Sequence, residues 1–288
     1  MKTQKQKTTA VLFLFFLSSV VRAQELYVYT EPASNMPAHS LSAKITANYV
    51  GKKPETGDRF MQRYIPELMF GINKNWMLHV GGTFADMHTR NFRWESVYLY
   101  AKYRFLSKDE LHSHFRMAVF ADAGYTRSPF HYDEVTLQGD KTGVQLGVIA
   151  TQLWNKLALS GTMSHTQVLD DSRNDKAVYI PSRIYQVMNY SLSGGYLLLP
   201  FQYTDYRQTN LNLYTEILAQ QSLDRKAYFV DMAPAIQLIF NSNAKLNIGY
   251  RFQLKGDMQR MTNDSWLVSF ERTFLNALRK KKNNGSIH

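Results

Sequence analysis

The 288 residues contain no cysteine, which excludes disulfides, thiolate metal sites and a cysteine nucleophile. Long apolar runs are nearly as scarce. One covers residues 10 to 21, rich in Leu, Phe and Val, and no other segment approaches the ~20 apolar residues that a spanning helix needs. Mean hydropathy is -0.35, too polar for a protein of several helical spans. A continuous basic surface is also missing, although the formal charge is +11. Lys2, Lys5, Lys7 and Arg22 lie at the start and Arg279, Lys280, Lys281 and Lys282 near the end, so these eight leave only +3 for the body. No basic stripe remains for a nucleic acid, and none is expected as a partner.

Aromatic residues are plentiful: 18 Tyr, 17 Phe and 4 Trp, or 14% of the chain. With modest hydropathy, this suits a barrel whose strands are apolar on one face and ringed by aromatics at both membrane interfaces. The first 23 residues read as a secretory leader. Three lysines precede the apolar run, and Val21, Arg22 and Ala23 supply a cleavage site before Gln24. An exported chain with no spanning helix is periplasmic, secreted or an outer-membrane barrel, and no cysteine follows the leader to carry a lipid anchor.

From residue 40 to 275 apolar residues recur with period two over runs of nine to fifteen, the length a tilted strand needs to cross a bilayer. Leu246, Ile248, Tyr250, Phe252 and Leu254 alternate with Asn247, Gly249, Arg251 and Gln253; Val97, Leu99, Ala101, Tyr103 and Phe105 alternate with Tyr98, Tyr100, Lys102 and Arg104. The spacing predicts strands over 40–50, 61–72, 76–86, 93–106, 113–125, 142–153, 156–166, 184–199, 208–220, 226–240, 244–255 and 265–275. The expected fold class is therefore all-β, a single antiparallel up-and-down transmembrane barrel of about twelve strands. Ten or fourteen fit the same pattern if neighbouring runs are joined or split. Soluble β-sandwich strands, by contrast, average about five to six residues.

Asn73 to Asn75, Trp154 with Asn155, and Asn241 to Asn243 read as tight turns, because Asn tolerates left-handed backbone. Longer connectors follow strands 1, 5, 7 and 11, as in a barrel with short periplasmic turns and long outer loops. The connectors at 107–112 and 200–207 look long for periplasmic turns. The last strand ends on Phe274, resembling the C-terminal signal read by the barrel assembly machinery, but a tail over 276–288 follows it and reads as a basic periplasmic extension.

The stretch from Glu25 to Leu41, ELYVYTEPASNMPAHSL, resembles the opening of a porin-like family of uncharacterised outer-membrane barrels of Bacteroidota type. The resemblance implies a Gram-negative outer-membrane location and a barrel fold, and transfers no catalytic residue. Residues 24–39, with two prolines and small polar side chains, read as an irregular segment before strand 1 that can fold into the barrel mouth as a plug. Met36 and His39 are of the ligand types a copper or zinc site uses, yet two ligands without a third make a weak metal candidate.

No hydrolase constellation is legible. Ser164 and His165 are adjacent and thus on opposite faces of one strand, and His112 and His114 sit at a turn. No catalytic residue and no cofactor is assigned. The polar faces carry Arg63, Glu67, His79, Lys102, Arg104, Arg116, Asp122, Glu216, Asp231 and Arg251, groups too costly to set against lipid and so expected to line the lumen. The leading expectation is a narrow porin-like channel or transporter for small polar solutes, with lipid and the assembly machinery as partners. The alternatives are a non-conducting structural or surface-interaction barrel and a lipid-modifying enzyme. Five inward bases against four inward acids give weak anion preference at most, with Lys102, Arg104 and Arg116 forming a basic ladder on one wall.

Overall fold

The computed structural model describes residues 27–52, 59–128, 132–169, 184–201, 205 and 207–279. The expected leader at 1–23 and the basic tail from Lys280 onward lie outside the described residues. Twelve strands are formed: β1 (Ser40–Val50), β2 (Met61–Gly71), β3 (Trp76–Ala85), β4 (Arg93–Asp109), β5 (Ser113–Thr126), β6 (Gly143–Trp154), β7 (Leu157–Val168), β8 (Gln186–Leu199), β9 (Asn210–Ser222), β10 (Tyr228–Phe240), β11 (Ala244–Gly256) and β12 (Asp264–Phe274). Each pairs antiparallel with its sequence neighbours, and β1 pairs with β12 from Leu41 opposite Phe274 to Tyr49 opposite Trp266. The sheet is closed, so no edge strand is left to aggregate.

Period-two alternation decides which way each side chain points. Across the middle of the outer wall stand Ile45, Leu68, Val80, Leu99, Val119, Val148, Ile236 and Ile248, each at least 38% exposed. An aliphatic band of this kind is stable only against a nonaqueous surround. Aromatics flank it at both rims. Trp76 packs on Tyr103 at one rim (4.8 Å between ring centroids), while Tyr49, Phe60, Tyr64 and Phe92 pack in series at the other, near Tyr250 and Trp266.

Inside, large rings need room, and glycine on the facing strand supplies it. Tyr98 lies opposite Gly81, Phe120 opposite Gly147 and Tyr214 opposite Gly195, each pair directly across a strand boundary. A Cβ on any of the three glycines would collide with the facing ring. The ring therefore lies flat along the wall instead of projecting into the lumen, which leaves internal space for other occupants.

One rim carries the start of β1, the end of β12, the connectors at 72–75, 110–112, 155–156 and 241–243, and residues 200–201 and 207–209 between β8 and β9. Asn73 Oδ1 accepts from the amides of Asn75 and Trp76 at 2.8 Å, and Asn155, Asn241 and Ser242 take positive φ (47°, 48° and 56°). The connector after β4 is shorter than alternation suggests. Strand pairing continues to Asp109 because the register shifts between Arg104 and Leu106, and the extra residue at Phe105 breaks the period-two pattern without ending the strand. A second shift, between Thr83 and Phe84, lets both Glu95 and Ser96 be wholly buried.

Candidate functional site

Two segments outside the strands fill much of the barrel. The first is residues 27–37, which run into the lumen ahead of β1. Glu216, fully buried on β9, holds the start of this plug: Oε1 accepts from the amides of Val28 (2.8 Å) and Tyr29 (2.9 Å), and Oε2 from the hydroxyls of Thr30 (2.7 Å) and Ser193 (3.2 Å). Farther on, the Ala33 amide donates to Thr151 Oγ1 at 2.9 Å. Lys102, also fully buried, donates from Nζ to the carbonyls of Pro32 (2.7 Å) and Ser34 (2.8 Å) and lies 3.3 Å from a Glu31 oxygen. Burial by itself would raise the Glu31 carboxyl, but Lys102, then His79 and Lys44, hold it below its ordinary value. Tyr27 meets Tyr214 edge to face at 5.6 Å, and Tyr29 lies against Gly249.

The second inward segment is the β5–β6 connector from residue 132 to 142, entering from the opposite rim. Glu134 on this loop bonds Arg251 (3.0 Å) and Arg260 (3.0 Å), and both arginines also reach Asp231, at 2.5 and 2.8 Å. Phe229 lies beneath, with the Arg260 and Arg251 guanidinium carbons 4.0 and 5.3 Å from its ring centre. Asp140 bonds Arg63, which is also 3.8 Å from Glu95, and accepts a contact from His88 Nε2 at 3.0 Å. The Val135 amide donates to Gln220 Oε1 (2.9 Å), and Gln220 Nε2 donates back to the Val135 carbonyl (2.8 Å). Burial would raise both loop carboxyls, yet Arg251 and Arg260 hold Glu134 below its ordinary value, and Arg63 and His88 hold Asp140 well below its own. Burial would lower the Arg260 guanidinium, and Glu134 and Asp231 raise it instead.

Between plug and loop lies a cavity of about 470 Å³. Of the ten charged and polar residues that alternation places on inner faces, Arg63, Glu67, His79, Asp122 and Arg251 line it. Lys102 and Glu216 hold the plug, and Asp231 sits under the loop. Arg104 and Arg116 are at the rim of the chain ends. Arg104 donates to the Lys74 carbonyl (2.7 Å), and Arg116 to Asp109 (2.7 Å) and Ser34 Oγ (3.0 Å). Lys102, Arg104 and Arg116 thus brace a turn and the plug, and do not form a ladder of bases along open lumen.

Sequence reading passed over several groups that matter here. Lys44 faces the cavity 3.8 Å from Glu67, and its alternation with Ile45 was a usable signal. Glu134, Asp140, His88 and Arg260 belong to connectors, where no period exists to read. Met36 packs near Gly71, and His39 is exposed at the rim; among the described residues no group of three His, Asp or Glu side chains stands ready for a metal. Ser164 Oγ accepts from Gln145 Nε2 at 2.6 Å and faces inward, while His165 lies on the other face of β7.

No protein-family model matches the chain, and no curated protein matches it. Among solved structures it is similar to an outer-membrane channel from Pseudomonas putida F1, with 12% identity, a TM-score of 0.55, and 86% of this chain and 100% of that chain covered. It is also similar to the NanC porin, at 12% identity and a TM-score of 0.46, covering 81% and 98% of the two chains. At such identities the likeness to the first is one of fold alone, and the fold shared is a closed β-barrel.

Proposed function

We propose that this chain is an outer-membrane barrel that acts as a narrow, porin-like channel or transporter for small polar solutes, with its chain ends and short turns in the periplasm. One observation carries the reading: a cavity of about 470 Å³ with charged and hydrogen-bonding walls lies in the barrel between the plug and the inward loop. A barrel that served only as a scaffold gains nothing from such a space, whereas a solute path needs wet, polar walls inside an apolar shell. Twelve strands fall between eight, which leave room for side chains alone, and sixteen, which leave an open aqueous pore.

A second reading has its own support. The plug is fastened by buried, well-partnered groups, Glu216 and Lys102 above all, which fits a barrel that stays closed and serves a structural or surface role. Planar-bilayer recording separates the two. The refolded protein is expected to conduct in small steps, and a variant lacking residues 27–37 in larger ones. If neither conducts, the channel reading is lost and the closed barrel takes its place.

A further inference from the structure

Most charged groups within this barrel have an opposite charge beside them: Lys44 with Glu67, Lys102 with Glu31, Lys245 with Glu271, and the Arg63 and Arg251 groups with their loop acids. Asp122 on β5 is different. Among the described residues it makes no ion pair, and its Oδ1 accepts no hydrogen bond. A carboxylate removed from bulk water without a counter-charge is expensive, so its surroundings are informative.

Asp122 stands in a row that crosses four strands. It lies opposite Tyr100 of β4 on one side and Gln145 of β6 on the other, and Tyr100 in turn lies opposite His79 of β3. All four line the cavity. Tyr100 packs between His79 (4.8 Å) and Phe120 (5.4 Å, stacked), which makes a continuous aromatic wall beside the carboxylate. Tyr100 is 8% exposed and His79 only 3%, yet Tyr100 Oη and His79 Nε2 have no hydrogen-bond partner among the described residues. The other imidazole nitrogen, Nδ1, lies 3.6 Å from Glu67 Oε2, and Glu67 is further served by Lys44 and the Tyr98 hydroxyl. An ionised Glu67 favours the tautomer with its proton on Nδ1, which leaves Nε2 a bare acceptor. The wall therefore presents a carboxylate oxygen, an imidazole lone pair and a phenol oxygen next to the faces of aromatic rings.

We infer that this row is a binding site for a small organic ammonium compound, whose N–H groups donate to Asp122, His79 and Tyr100 while its carbon skeleton lies on the Tyr100 and Phe120 rings. The cation supplies the missing counter-charge, and the ring faces attract it as well. The volume suits a small molecule. This assigns a solute class to the proposed channel and rests on that reading for transport, but not for binding.

Calorimetric titration of the full mature chain refolded in detergent tests it, with ethanolammonium chloride, sodium chloride and glucose as probes. Ethanolammonium is expected to bind saturably, and sodium and glucose are not. Asp122→Asn is expected to weaken binding by about tenfold to a hundredfold, the range for a hydrogen bond to a charged group, and Tyr100→Phe by about two- to tenfold. Both variants should keep the gel-mobility shift between heated and unheated samples that marks a folded barrel. If Asp122→Asn does not fold, Tyr100→Phe and the three-probe comparison decide. Equal binding of glucose or sodium, no saturable binding of ethanolammonium, or folded Asp122→Asn binding as tightly as wild type overturns the proposal. A barrel that binds ethanolammonium but never conducts keeps the site and loses the channel; one that conducts and ignores ethanolammonium does the reverse.

Discussion

Glu216 carries four hydrogen bonds on two oxygens, three of them from the plug, so replacing one oxygen by an amide is a narrow and informative change. In Glu216→Gln the new NH2 meets either two backbone amides or two hydroxyls, and at least one donor loses a charged acceptor, worth about 1.5–3 kcal/mol. The expected result is a plug that leaves the lumen more often. In this cysteine-free chain, Ser34→Cys placed on the Glu216→Gln background should react with a water-soluble maleimide about tenfold faster or more than on the wild-type background, with the barrel still folded. An unchanged rate means that Lys102 and Thr151 hold the segment without help. Gly81 tests packing rather than charge. A Val there meets the Tyr98 ring head on, and overpacking of this kind costs about 1–3 kcal/mol. Urea unfolding of Gly81→Val should show a lowered midpoint, and adding Tyr98→Ala should restore part of it; a lone Gly81→Val with wild-type stability refutes the ring-in-slot account.

Among the elements, the β5–β6 loop is held by carboxylates and its grip depends on pH in a fixed direction. Glu134 and Asp140 both titrate below their ordinary values when the loop is docked. A depressed carboxyl contributes its full stabilisation above the pKa of the free group, about 4, and loses it as pH falls through the docked value. The loop should therefore stay docked from pH 8 to 5 and loosen progressively below about 4. Hydrogen exchange over residues 132–140, corrected for intrinsic rates, should show protection constant across the first range and falling in the second. Loss of protection already between pH 8 and 6 refutes the account that Glu134 and Asp140 hold the loop. The strands themselves respond to their faces: Ile45→Cys should react only with apolar reagents in lipid and Asn48→Cys, which lines the cavity, with water-soluble ones. The reverse pattern means that β1 is turned inside out. Strand positions were legible because a half-buried strand must alternate, and the expected 113–125 and 244–255 differ from β5 and β11 by one residue at one end. Alternation failed at Phe105, where a bulge adds one residue, and made the connector after β4 look too long. It also indicates only which way a side chain points. That Lys102 would meet two carbonyls of the plug, or that Arg63 would find Asp140 on a loop, depends on segments that fold back into the lumen and leave no periodic trace.

For the whole molecule, the apolar band between two aromatic girdles sets the expected location. Membrane fractionation should recover the protein with the outer membrane, and recovery in the soluble periplasm would contradict the reading. The architecture also ties the plug to the seam of the barrel. Residues 27–37 lie inside the wall and lead directly into β1, and β1 is one side of the seam that joins the two ends of the sheet. The plug and one side of the seam are therefore one continuous stretch of backbone, and the plug can leave through the open rim while β1–β12 pairing stays intact. The two chain ends are not equivalent. Tyr27 is buried against Tyr214 beside the β6–β7 turn, whereas Arg279 is exposed beyond β12, so a bulky fusion placed directly before residue 27 strains a packed contact that one after Arg279 does not touch.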